Sequence, residues 1–135
     1  MADQSKTKWF KTDKFNHIEL VNQTALELLD EVRDAFGYPL IITDDARVRG
    51  EPLPPGASGN SLHFDGQAFD IRTRDWTTEK MWTFVAAVVN IAHWVARGQK
   101  AGIELEIVHS KTDKHGHVGF FLGDGRKNRF IVRAE

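Results

Sequence analysis

Ser61-Leu62-His63-Phe64-Asp65-Gly66-Gln67-Ala68-Phe69-Asp70 is the stretch on which the fold turns. His63 and Asp70 are possible nitrogen and oxygen ligands for a metal, with Asp65-Gly66 between them as a turn signal. Ala68 to Arg72 then alternates as a short strand does, with the Asp70 carboxylate at its centre. A loop histidine followed by a strand aspartate brings two ligands to one point without a helix. Zinc sites that perform chemistry take three protein ligands and keep a fourth position open. A third ligand must come from elsewhere, and His109, His115 and His117 are its obvious source.

Upstream, apolar residues at Ile18, Val21, Ala25, Leu28, Leu29, Val32 and Phe36 fall in steps of three and four, which predicts a helix from about Asn16 to Phe36. Gly37 stops it and Pro39 bars its continuation. Leu40 to Thr43 reads as a short buried strand. From Asp44 to Asn60 periodicity vanishes among Pro52, Pro54, Pro55, Gly56 and Gly59, which predicts a functional loop of about 15 residues. Residues 1–15 form a polar arm with Trp9 and Phe10 as aromatic anchors.

Downstream, Thr77 or Thr78 can cap a second helix running to about Arg97. Its apolar residues cover most of the circumference, so it is expected to be the central core element, with His93 packed inside. Ile103–Val108 alternates as a half-buried strand, Lys111–Gly116 turns, His117–Leu122 returns, and Phe130–Val132 is a last strand. The order implies an α+β fold in one domain, residues 1–135, with a small, mostly antiparallel sheet and flanking helices.

Lysine and arginine number 18 against 19 acidic residues, a formal charge of −1, which argues against a nucleic-acid partner. With no cysteine, any metal must be held by nitrogen and oxygen. The longest apolar run, Met81–Ala96, is shorter than the roughly 18–20 residues needed to span a bilayer. The first ten residues lack the apolar core of a signal peptide, so a protein made in the cytoplasm, with no membrane partner, is expected.

On a strand, His115 and His117 share a face, and pairing across the turn would bring His109 near them. The string Ser61-x-His63-x-x-Gly66-x-Ala68-x-Asp70 resembles the signature of the zinc D-Ala-D-Ala carboxypeptidase family. That family includes phage L-alanyl-D-glutamate endolysins and, by fold, the hedgehog signalling domain. Pro39-Leu40-Ile41-Ile42-Thr43-Asp44-Asp45-Ala46-Arg47 is similar to its strand ending in arginine, and His117-Val118 to its closing H-V element.

The resemblance implies a hedgehog-like fold and one zinc ion on His63, Asp70 and His117. It implies a water in the open position, acidified to a pKa of roughly 7, and Arg47 binding the substrate carbonyl or carboxylate. Stem peptides of peptidoglycan would be the substrate, cut by a monomeric carboxypeptidase or endopeptidase. A small phage or prophage lysis enzyme, reaching the cell wall after release, is the setting implied. The family's general base, often E-x-x-H, is missing, since Lys114 stands three before His117. His109, a competent proton shuttle, is the first replacement and Asp113 the second. Glu106 is third, in a rival scheme with His109 as the ligand. A catalytically silent zinc-binding module of the same fold, or an unrelated domain with fortuitous histidines, are the alternatives.

Overall fold

Helix α1, Gln23–Phe36, begins later than its periodicity predicts, in a computed structural model that describes residues 2–46, 62–98, 101–123 and 126–134. The Asn22 side chain accepts the Ala25 N–H at 3.1 Å and fixes the helix start there. Ile18–Leu20 form only a 3₁₀ turn. The chain around that turn is held instead by Gly66, whose carbonyl accepts the Asn22 N–H at 2.8 Å. The N-terminal arm packs on α1: Phe10 is buried, the Trp9 indole N–H donates to Asp34 at 3.0 Å, and the Arg33 guanidinium lies 4.0 Å over the Trp9 ring.

Strands β1 (Ile42–Asp44) and β2 (Ala68–Ile71) follow, then helix α2 (Thr78–Ile91), capped by the Thr77 hydroxyl, which accepts the Lys80 N–H at 3.1 Å. The helix runs on into a π-helical turn, Ala92–Ala96. Strands β3 (Ala101–His109), β4 (Lys114–Leu122) and β5 (Arg129–Ala134) complete a five-stranded sheet in the order β1-β2-β4-β3-β5. Residues 47–60 of the expected long loop lie outside the described residues.

The expectation of a mostly antiparallel sheet is corrected to a mixed one. β1–β2, β2–β4 and β4–β3 pair antiparallel, but β5 lies parallel to β3. The reason is connectivity. β4 ends with Leu122 beside Ala101, at the start of β3, and its other edge is taken by β2. A short connector can only return the chain along the open edge of β3, so Arg129 pairs with Glu104 and both strands run the same way. β4 itself serves as the crossover that parallel strands require.

Ile103, Leu105 and Ile107 of β3 and Val118 and Phe120 of β4 face the two helices and form the core with Leu26, Leu29, Val32, Met81, Phe84 and Val88. The other face of β3 and β4 carries Glu104, Glu106, His115 and His117. Helix α2 is not buried all round. Met81, Phe84, Val88 and Ile91 enter the core, whereas Trp82 and Val89 are exposed, and Trp94, in the π turn beyond, is 72% exposed. His93, expected in the core, is also exposed, its ring centroid 4.5 Å from that of Trp94. The sheet and α1 occupy one side of α2, and an apolar residue on the far side has no described layer to meet. No helix among the described residues is long and apolar enough to cross a membrane.

Gly66 connects the fold to the decisive stretch. Its φ of +67° is left-handed, and a Cβ there would fall 2.0 Å from the Leu20 carbonyl oxygen. Gly66→Ala is therefore expected to destabilise the protein by more than about 2 kcal/mol, because strain and backbone overlap combine. Thermal or urea unfolding measures it, and an unchanged midpoint would contradict the contact.

Candidate metal centre

Three elements converge on the open face of the sheet. His63 lies in a 3₁₀ turn, Leu62–Asp65, closed by the Gly66 N–H donating to the His63 carbonyl at 3.2 Å. Asp70 is in β2 and His117 directly opposite it in β4. Because cross-strand partners point to the same side, Asp70 and His117 meet as a consequence of register. His63 comes over them from the turn, its ring centroid 5.2 Å from that of His117.

One Asp70 oxygen, Oδ1, stands 3.2 Å from His63 Nε2 and 3.1 Å from His117 Nδ1. One ligand atom from each of the three residues lies within 4.8 Å of the other two. Metal–ligand bonds of roughly 2.0–2.1 Å at tetrahedral angles separate neighbouring ligand atoms by about 3.3 Å. The two spacings to Asp70 match that value, and the third lies within 4.8 Å, so these residues fit a metal ion.

The remaining ring nitrogens strengthen the fit. His63 Nδ1–H donates to the Asp45 backbone carbonyl, which leaves Nε2 directed at Asp70. His117 Nε2–H donates to Glu104 Oε1 at 2.7 Å, which leaves Nδ1 directed at Asp70. Metal-binding histidines almost always have their second nitrogen fixed by a carbonyl or carboxylate in this way. Glu104 is itself held, Arg129 Nη1–H donating to its other oxygen at 3.5 Å from β5.

Electrostatics follow the same contacts. Burial disfavours the Asp70 carboxylate, but hydrogen bonds from His117 and His63 outweigh it and hold its pKa well below the usual carboxylate range. Burial likewise opposes charge on His117, yet Asp70 and Glu104 raise its pKa to about 9. Glu104 is lowered, first by its hydrogen bond from His117. Asp45, whose carbonyl orients His63, has a buried carboxyl whose pKa desolvation raises.

The other sequence candidates are placed differently. His109 is buried on the helix side of the sheet with Ile103, Leu105 and Ile107, facing away from His117. It can therefore neither carry a proton there nor act as the ligand in the rival scheme, and both ideas are withdrawn. Asp113 is in the β3–β4 turn, where its carboxylate accepts from His115 Nδ1–H at 2.9 Å rather than reaching the three ligands. Arg47 and Ser61 lie outside the described residues.

Sequence reasoning overlooked Glu104, and ranked Glu106 last. Both share the open face with His117, and Glu106 is the direct cross-strand partner of His117. The signal was the alternation Ile103-Glu104-Leu105-Glu106-Ile107, which places both carboxylates on one side. Glu104→Ala is expected to weaken metal binding about 10- to 100-fold, since His117 loses the group that orients it. Competition with a chromogenic chelator measures this, and an unchanged affinity would remove Glu104 from the centre.

A family model described as Peptidase M15 matches residues 3–102. No curated protein and no solved structure matches the chain. The matched span holds His63 and Asp70 but ends before Glu104 and His117, which the fold brings to them.

Proposed function

The chain belongs to the peptidase M15 family, and from that premise we propose that it is a zinc peptidase hydrolysing stem peptides of peptidoglycan. The observation that carries the proposal is the convergence of His63 Nε2, Asp70 Oδ1 and His117 Nδ1, with the second nitrogen of each imidazole already tied to an acceptor. Two imidazoles and a carboxylate are a donor set that suits zinc in hydrolytic sites. When bound, zinc supplies Lewis-acid polarisation of a carbonyl and acidifies water to a nucleophile near neutral pH.

The chain's own residues would supply the rest. Glu106, on the open face opposite His117, replaces His109 and Asp113 as the proposed proton acceptor. The exposed His115 beside it, Nε2 at 3.8 Å from Glu106 Oε1, provides a neighbouring group to share the proton. In the reaction, a water oxygen bonds to the peptide carbonyl carbon and its proton passes to a Glu106 oxygen. The C–N bond then breaks, and the proton is delivered to the leaving amine nitrogen. Arg47 keeps the role that the family resemblance implies, stabilising the carbonyl oxygen as charge develops. Likeness to the endolysins is what supports a phage or prophage lysis enzyme, acting on the wall after release.

The test is digestion of purified cell wall by zinc-loaded protein, with new amino termini quantified and the fragments weighed by mass spectrometry. Release of a single terminal D-amino acid identifies a carboxypeptidase, and internal cleavage an endopeptidase. Stoichiometric zinc with no new amino termini anywhere from about pH 5 to 9 would instead mark a silent metal-binding module.

A further inference from the structure

On the helix side of the sheet, across from the metal centre, the π-helical turn, the first residues of β3 and the connector into β5 enclose a groove of about 570 Å³. That volume falls within the roughly 300–1,000 Å³ of small-ligand sites. Its polar lining is one-sided. Among the described residues, His93, Arg97, Arg126 and Lys127 border it, and no carboxylate does. Asn128 also faces it, and its Oδ1 already accepts the Ile103 N–H at 2.8 Å, so the side chain has its NH₂ donors left to present. In a chain with a formal charge of −1, this clustering is not a by-product of composition.

The apolar part of the lining includes Val89 and Phe130, both substantially exposed. The basic connector is seated firmly. A Cβ at Gly102 would lie 2.4 Å from the Arg126 carbonyl oxygen, so the connector rests directly on the β3 backbone, and the Asn128–Ile103 bond pins its far end. The Arg126 guanidinium is laid over the Phe121 ring at 4.3 Å. Phe121 shares the metal-centre face with His117, so the Arg126 head group is turned away from the groove. The connector offers the groove Lys127 and Asn128 from fixed backbone positions, which lowers the cost of ordering them around a ligand.

We infer that this groove binds a phosphate ester, its anionic oxygens on Arg97, Lys127 and Asn128 and its apolar or planar body against Val89 and Phe130. Phosphate fits better than carboxylate because its three or more acceptor oxygens can take Arg97, Lys127 and Asn128 together, where a carboxylate offers two. The ester could be a free phosphomonoester or a phosphodiester unit in an anionic polymer, since both present the same chemistry.

The experiment titrates zinc-loaded, ¹⁵N-labelled protein separately with inorganic phosphate, phenyl phosphate and poly(glycerol phosphate). Saturable shifts are expected at the amides of Gly102, Asn128 and Val89, with phenyl phosphate bound more tightly than inorganic phosphate. Arg97→Ala and Lys127→Ala should each weaken binding about tenfold, while Lys14→Ala, which removes the same charge from another exposed position, should leave it unchanged. Tighter binding of the polymer names the polymeric source, and tighter binding of the monoester the free one. Shifts confined to the metal centre, or equal effects of Arg97→Ala and Lys14→Ala, would each overturn the inference.

Discussion

His63→Ala is expected to release the metal and, with it, peptidase activity. His63 is 1% exposed, so bulk water does not compete for the place its Nε2 takes beside Asp70. The substitution leaves one imidazole and one carboxylate, short of the three protein ligands a catalytic zinc site needs. Metal content should fall from about one ion per chain to background, and turnover by at least roughly 10³-fold. Truncating a buried ring also removes the hydrogen bond to the Asp45 carbonyl, so some loss of stability is expected. His63→Asn separates the two effects, because its amide nitrogen falls where Nδ1 was and not where Nε2 was. Its amide can still donate to Asp45, so a protein that melts as the parent does yet binds no metal would place the loss at the ligand. Metal retained at full stoichiometry in either variant would sink the assignment of His63.

Strand parity decided which parts of the site could be read from residues alone. His63 and Asp70 were legible because a turn signal and a short alternating strand leave little freedom in which way they face, whereas His117 was singled out from His109 and His115 only by the family resemblance. The proton carrier was not legible, because its choice depends on the length of the turn between β3 and β4. With four residues in that turn, His109 faces Lys114 and His117 faces Glu106. A turn one residue longer or shorter would reverse the sides and put His109 beside the metal ligands. Composition cannot reveal that difference. The same limit applied to α2, where apolar residues all round suggested burial. The sheet and α1 can cover only one side of a helix, and Trp82, Val89 and Trp94 remained outside. Parallel pairing of β5 was equally hidden, since it follows from which sheet edges are already taken and not from any property of Phe130–Val132.

Opposite pH dependences of folding and metal binding are the second large effect expected, and both arise at His117. In the metal-free protein its pKa is raised from 6.5 to about 9. A raised pKa means that the proton is bound more tightly in the folded state. The resulting stabilisation is fully present below about 6.5 and is lost as pH climbs through about 9. Asp70 contributes with the opposite sign, its lowered pKa adding stability above 3.8 that is lost in acid, so between 6.5 and 9 the slope belongs to His117. A metal ion needs the Nδ1 lone pair that this proton occupies. Binding must therefore displace the proton, and affinity should gain about tenfold per pH unit up to about 9 and flatten beyond it. The melting temperature of chelator-treated protein should fall over the window in which the zinc-induced rise in melting temperature grows. Glu104→Gln removes one of the two carboxylates that hold the proton and should move both curves to lower pH together. If the two curves ran parallel, or if Glu104→Gln moved only one of them, a single imidazole could not be serving both as the folded state's proton store and as a metal ligand.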